Sequence, residues 1–396
     1  MQEALESAHT VEMAVWNRTT DNPCVHSMSP GSFFYCVFAE VARRCDNNLG
    51  LEGIAGFSGW ALPGRDYFKR ADVVHLHVIH DHSYFSILSL PNLSRLKPIV
   101  WTIHDPWAMT GGCLYSFECD KWLDGCNFPC PYPRHKSLLQ HRIPAILWQL
   151  KMRVYQRSDL SLVVASKWMQ GRVESSPLLQ HFPCHFIPFG IDIELFRPRS
   201  KAESRKLLGI CPDQKVIVFR DNGFKSDQFK GLKWLMEALQ MYEPQEPTCL
   251  LILQDGRAFK PLCPKYSVIT PGWIDGEDLA IALSAADVFL MPSVQEAFGL
   301  MAVESMACGT PVITFEGTSI PDVIKAPKGG LAVPAKDSSA LALAIQTLLR
   351  DDDLRDKLGK QARQIVEQEY SFQLYVQRHV SLYENVIESH KRGKQL

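Results

Sequence analysis

The segment Asp287–Phe315, DVFLMPSVQEAFGLMAVESMACGTPVITF, constrains the fold more than any other part of the chain. Its apolar run Val288-Phe289-Leu290-Met291 stops at Pro292-Ser293, which predicts a buried strand ending in a turn. Gly299-Leu300 then opens an apolar stretch that fits a helix to Ala307, with Cys308-Gly309 as its stop and glycine in the C-terminal capping place. Pro311-Val312-Ile313-Thr314-Phe315 predicts a second buried strand. Strand, helix and strand in this order make the building unit of a parallel sheet, so the expected class is α/β.

Within that unit, Glu296 falls where a strand hands over to a helix, on the carboxyl edge of the sheet where such sheets bind ligands. Residues 299–301 offer backbone N–H groups at a helix start, a ready anion site. Glu304 lies about one and a half helical turns in. Two carboxylates flanking N–H donors suit a ligand with hydroxyls on either side of a phosphate, the layout of a nucleotide-sugar. The same spacing also fits two surface glutamates around an ordinary helix.

The run PSVQEAFGLMAVESMACGTPVI closely resembles the donor-site signature of retaining glycosyltransferases of family 4. The resemblance implies the GT-B fold: two Rossmann-like doubly wound domains facing across a cleft. It implies an acceptor-side domain over 1–188, a nucleotide-sugar donor-binding domain over 189–371, and a C-terminal helix, 372–396, crossing back to the first domain. By the same resemblance Glu296 contacts the transferred sugar, Glu304 the ribose hydroxyls, and the amides of Phe298, Gly299 and Leu300 the distal phosphate. The donor would be a UDP- or GDP-sugar, with no cofactor required. No Asp-x-Asp motif stands out, so no catalytic divalent ion is expected.

Other parts of the chain match the same family. The strand Val216–Arg220 and the later Lys230-Gly231 supply one Arg and one Lys, both placed by the family on the diphosphate. Lys225 is the rival to Lys230 but lacks the following glycine. The family's domain-crossing "IPNGID" is matched by Ile187-Pro188-Phe189-Gly190-Ile191-Asp192, with Phe189 where Asn is usual. Gly272-Trp273-Ile274 follows the strand whose end forms the nucleobase slot. His104 follows the strand Pro98–Ile103 and by resemblance lies near the transferred sugar. The phrase WTIHDPWAMTGGC narrows the likeness to a branch that includes colanic-acid-type exopolysaccharide enzymes. His75 and His77, two apart in the strand Ala71–Val78, share a strand face; ligation of a metal and hydrogen-bonded core positions are both open to them.

Cys113, Cys119, Cys126 and Cys130 fall close together and can bind a structural zinc tetrahedrally. The alternative is four reduced thiols in a proline-rich loop. From Gly125 to Ser158 there is no acidic residue. The basic residues of 134–157, interleaved with Ile143, Ile146, Leu147, Trp148 and Leu150, fit either a helix lying on an anionic membrane surface or a core-facing helix with a solvated basic face. A formal net charge of −1 gives no global field that points to nucleic acid. No apolar run is long enough to span a membrane. Twelve mostly scattered cysteines without a secretory signal are read as reduced thiols of a cytoplasmic protein, which on the first of the two readings of 134–157 would meet the inner face of the membrane through that segment.

Val11–Trp16 reads as a strand and 28–45 as a helix, and Met1 falls inside the first helix that the family would have. The family's opening strand and glycine turn are therefore expected to be missing, and the acceptor side to be poorly formed. The leading reading is a glycosyltransferase acting on a glycan or lipid-linked acceptor in cell-surface polysaccharide synthesis. Its rivals are a non-catalytic remnant or assembly partner, and a nucleotide-sugar epimerase or phosphorylase on the same fold.

Overall fold

The structure, a computed structural model, describes residues 9–28, 37, 40–41, 44, 53–54, 56–80, 84–132, 138–221, 227–262 and 264–393. Two compact units divide the chain, Met1–Ile187 with Val376–Leu396, and Pro188–Tyr375. The proposed helix over 28–45 lies largely outside the described residues.

In the first unit, β1 (Met13–Val15) and β2 (Val25–Ser27) form a small parallel pair. The main sheet is parallel, in the order β3 (Val74–Leu76), β4 (Ile99–Thr102), β5 (Leu160–Val164), β6 (Cys184–Phe186). β4 is buried at every position, as its unbroken apolar run requires in a sheet covered on both faces. The strand expected over Ala71–Val78 contracts to β3, so His75 lies inside the strand and His77 just beyond its carboxyl end. The helix Leu138–Tyr155 carries the basic segment, and one of its cations departs from the expected solvated face. Lys151 is fully buried, donates to the carbonyls of Trp107 and Thr110 (3.0 Å for the latter), and lies 3.4 Å from the Trp107 ring centre. It satisfies carbonyls at the turn after β4 and does not belong to a membrane-facing surface.

In the second unit, β7 (Lys215–Asp221), β8 (Thr248–Gln254), β9 (Ser267–Gly272), β10 (Val288–Met291), β11 (Val312–Phe315) and β12 (Gly330–Val333) form one parallel sheet in the order β12-β11-β10-β7-β8-β9. The chain starts at β7, winds outward through β8 and β9, and returns to the other side of β7 with β10. The carboxyl ends of β7 and β10 are therefore the switch point of the winding, where a crevice opens between loops that diverge to opposite faces. Ile217, Phe219, Leu250, Ile252, Leu290 and Ile313 pack the sheet against Leu235 and Leu239 of the helix Leu232–Met241. The helix Ser338–Arg350 buries Leu341, Ile345 and Leu348 in this core.

The last helix, Phe372–Gly393, begins in the second unit, and its residues from Val376 belong to the first. Within the first unit it is tied to the sheet by Tyr383, whose hydroxyl lies 2.6 Å from His75 Nδ1. Among the described residues, no helix is long and apolar enough to cross a membrane.

Candidate functional site

The site residues of the second unit gather at the switch point because of one tight turn. Gly231 has φ +71°, and a Cβ there would stand 2.0 Å from the Pro292 carbonyl oxygen. Only glycine lets the turn before the Leu232 helix lie this close to the end of β10. The neighbouring Phe229 carbonyl accepts from the amides of Val294 (2.8 Å) and Gln295 (3.4 Å), stapling the loop after β10 to the same turn. Lys230 is consequently delivered to Glu296, Nζ to Oε2 2.7 Å, with both side chains largely shielded. A cavity at the ends of β7 and β10 is lined by Arg220, Asp221, Lys230, Met291, Ser293 and Met301.

Arg220 comes off β7 at the penultimate position of the strand. It donates to the Ile274 carbonyl at 2.8 Å, and its guanidinium lies 4.4 Å from the ring centre of the exposed Trp273. Its Nε is buried without a hydrogen-bond partner among the described residues. Burial lowers the Arg220 pKa, while Glu304 and Asp275 oppose that shift. Glu304 shows the other side of this coupling. Burial pushes its carboxyl up to about 7, and Arg220 only partly pulls it back. The site thus carries two cation–carboxylate pairings, Lys230 with Glu296 in contact and Arg220 with Glu304 through the field.

Between them starts the helix Leu300–Ala307, as the sequence indicated. Gly299 caps it at φ 87°, ψ 58°, in the left-handed region, with no side-chain cap hydrogen bond. The first bond back into the cap runs from the Ala302 amide to the Gly299 carbonyl at 2.9 Å. The amides of Leu300 and Met301 precede it, among the donors that no helical turn satisfies. The Phe298 ring is buried edge-on to Phe189 (5.1 Å) and Tyr370 (5.9 Å), so its side chain is committed to packing. That packing also accounts for Phe189, which fills space beside Phe298.

His104 lies in the first unit, just past β4, with Nε2 3.1 Å from His77 Nδ1. Desolvation lowers its pKa, against the opposing pull of Asp105. His75 is a hydrogen-bonded interior histidine, held by Thr102 Oγ1 at 2.7 Å and Tyr383. Cys113, Cys119, Cys126 and Cys130 are free thiols, the last two buried. Burial pushes Cys113 up to about 12 and Cys126 to about 11. Among the described residues no three metal-ligating side chains are grouped to hold an ion. Lys225, Arg134 and Lys136 lie outside the described residues.

Three contributors escaped sequence reasoning. Trp273 was read only as a residue after the strand of the nucleobase slot, yet it stacks on Arg220 from a position 53 residues on. The contact of His77 with His104 and the Phe229 staple were equally invisible, since each joins segments that only the sheet order brings together. The glycine after Lys230 was the one local signal for the staple.

Comparison with known proteins extends this geometry. The family described as glycosyl transferases group 1 matches residues 201–365, which include every second-unit residue of the site. A D-inositol 3-phosphate glycosyltransferase of Corynebacterium urealyticum is 31% identical over 354 residues, covering 84% of this chain and 76% of that protein. Among solved structures, sucrose-phosphate synthase from Thermosynechococcus elongatus is similar with a TM-score of 0.62 at 23% identity, over 84% of this chain and 79% of that one. HepE of Anabaena, solved in complex with UDP and glucose, is similar with a TM-score of 0.58 at 16% identity, over 96% and 88%.

Proposed function

The chain belongs to the glycosyl transferases of group 1 and has the two Rossmann-like α/β domains of GT-B enzymes; from that premise we propose that it is a retaining enzyme of the family 4 type. It moves a hexose-type sugar from a UDP- or GDP-sugar to a glycan or lipid-linked acceptor in cell-surface polysaccharide synthesis. The observation that carries this reading is the meeting of Arg220, Lys230, Glu296, Glu304 and the start of the Leu300 helix at one switch point. The exopolysaccharide branch rests on the WTIHDPWAMTGGC phrase.

In the proposed reaction the bond between the sugar's C1 and the diphosphate oxygen breaks. The acceptor hydroxyl oxygen bonds C1 from the same face, and its proton passes to the departing phosphate oxygen. Arg220, Lys230 and the amides at residues 298–300 stabilise the charge that grows on that phosphate. Glu296 holds the transferred sugar, Glu304 accepts from the ribose hydroxyls, and His104 lies by the sugar from the first domain, so much of the rate comes from positioning. Residues 189–371 supply the donor side, 1–188 the acceptor side, and 372–396 return to the first domain.

The segment 134–157 is the proposed contact with the cytoplasmic face of the membrane, supported by the exposed Ile146 on a basic helix.

A second reading is drawn from the name of the 31% identical relative: a small phosphorylated polyol as acceptor. One experiment addresses both. UDP- and GDP-sugars are screened by nucleotide release with glycan, lipid-linked and inositol phosphate acceptors, and the anomeric configuration of the product is read by NMR. Release that depends on a glycan or lipid-linked acceptor, with retained configuration, is the expected result. Release with inositol phosphate alone selects the second reading. An inverted product, or no release with any pair, overturns the proposal.

A further inference from the structure

The carboxyl edge of the first unit's sheet presents a histidine contact whose purpose the proposed reaction leaves open. His77 follows β3 and His104 follows β4, and the parallel pairing of these neighbouring strands brings His77 Nδ1 to 3.1 Å from His104 Nε2. Desolvation, with His104 and His379 nearby, holds His77 down to about 4, and desolvation lowers His104 as well. Near neutral pH the contact is therefore an N–H···N bond between two uncharged imidazoles, in which one nitrogen donates and the other accepts.

Such a bond fixes two things about His104. It sets the angle of the ring, and it sets which nitrogen carries the proton, which in turn decides what the other ring nitrogen offers. The support for His77 is itself rigid. Its ring lies 4.2 Å from that of His75, and His75 is clamped between Thr102 Oγ1 (2.7 Å) and Tyr383 (2.6 Å). The backbone at His104 is fixed separately, because Asp105 accepts from the Trp107 amide at 2.8 Å and starts a tight helical turn. The main chain is thus held by Asp105 and the imidazole by His77.

We propose that His77 is a positioning residue, which orients the His104 ring and selects its tautomer for contact with the transferred sugar. The proposal rests on the assignment of His104 to that sugar. It gives His77 a role through His104 and not through the donor nucleotide, whose site residues lie in the second unit.

The experiment compares His77→Ala, His77→Asn, His104→Ala and the double variant His77→Ala/His104→Ala in the full chain, with the nucleotide-sugar found active in the screen. An asparagine amide can place a donor or an acceptor close to where Nδ1 stands. Loss of one hydrogen bond between neutral groups corresponds to about a two- to tenfold change, and a kcat loss in that range is expected for His77→Ala, with nucleotide affinity unchanged. His77→Asn should recover most of the loss, and the double variant should be no slower than His104→Ala. Normal turnover of His77→Ala beside a slow His104→Ala overturns the inference alone. So does a His77→Asn that folds but is no faster than His77→Ala, or losses that multiply in the double variant. Full activity of His104→Ala removes the assignment of His104 and the inference with it.

Discussion

At the scale of single residues, Glu304 is the most informative because its charge is poised near neutrality. Burial raises its carboxyl to about 7, with Arg220 acting in the opposite direction. A folded-state value above the unfolded one means that the protonated form favours folding. That contribution is fully present below the unfolded value and is lost as pH rises through about 7. With Glu304 in its proposed place at the ribose, nucleotide binding runs the other way, since two ribose hydroxyls are better accepted by the carboxylate. Affinity for UDP or GDP is therefore expected to rise between pH 6 and pH 8 in the wild type and to stay flat in Glu304→Gln, as calorimetric titration can read. Glu304→Ala should weaken binding by about 1.5–3 kcal/mol, the usual worth of a hydrogen bond to a charged group. At the neighbouring pairing, Lys230→Ala should cut transfer far more than Lys225→Ala, because Lys230 already meets Glu296 at 2.7 Å. The reverse order in a transfer assay would move the diphosphate contact to the preceding loop.

At the scale of elements, the turn at Gly231 decides whether the site assembles. A Cβ 2.0 Å from the Pro292 oxygen cannot be absorbed by a side-chain shift, since its neighbour is backbone. Gly231→Ala should thus reproduce much of the Lys230→Ala defect in transfer while Lys230 remains in place; normal turnover would show that the staple is dispensable. Another element-level contact is that of the last helix with β3. Tyr383→Phe removes the hydroxyl beside His75 and should cost about 1 kcal/mol of stability, measured by denaturant unfolding. How much of this was legible beforehand follows the range of each interaction. The strand Val288–Met291, the helix Leu300–Ala307 and its glycine caps could be read because apolar runs and capping glycines act over a few residues. Lys151 was misread because a lysine in a basic stretch gives no local sign that carbonyls of Trp107 and Thr110 await it in the interior.

At the scale of the whole molecule, a buried carboxylate just before β10 ties together distant segments of the second unit. Asp287 meets Lys201 (2.9 Å), Arg205 (2.8 Å), the Val216 amide (2.7 Å) and, more distantly, Arg355 (3.8 Å). Burial alone would raise its pKa, but Lys201 and Arg205 hold it below the ordinary carboxylate value. Its stabilising contribution is present above the unfolded value and is lost as pH falls through the lowered folded one. Asp287→Ala should cost about 3–5 kcal/mol, because the buried Arg205 guanidinium loses its carboxylate partner, and thermal unfolding reports it directly. The framework of this unit presents the proposed donor site, and the most direct test of that site is nucleotide affinity. Calorimetric titration of UDP and GDP into the wild type and into the folded Arg220→Ala/Lys230→Ala variant should give saturable binding of one of the two nucleotides to the wild type, at least a hundredfold weaker in the variant. Equal affinity in both proteins would contradict the account.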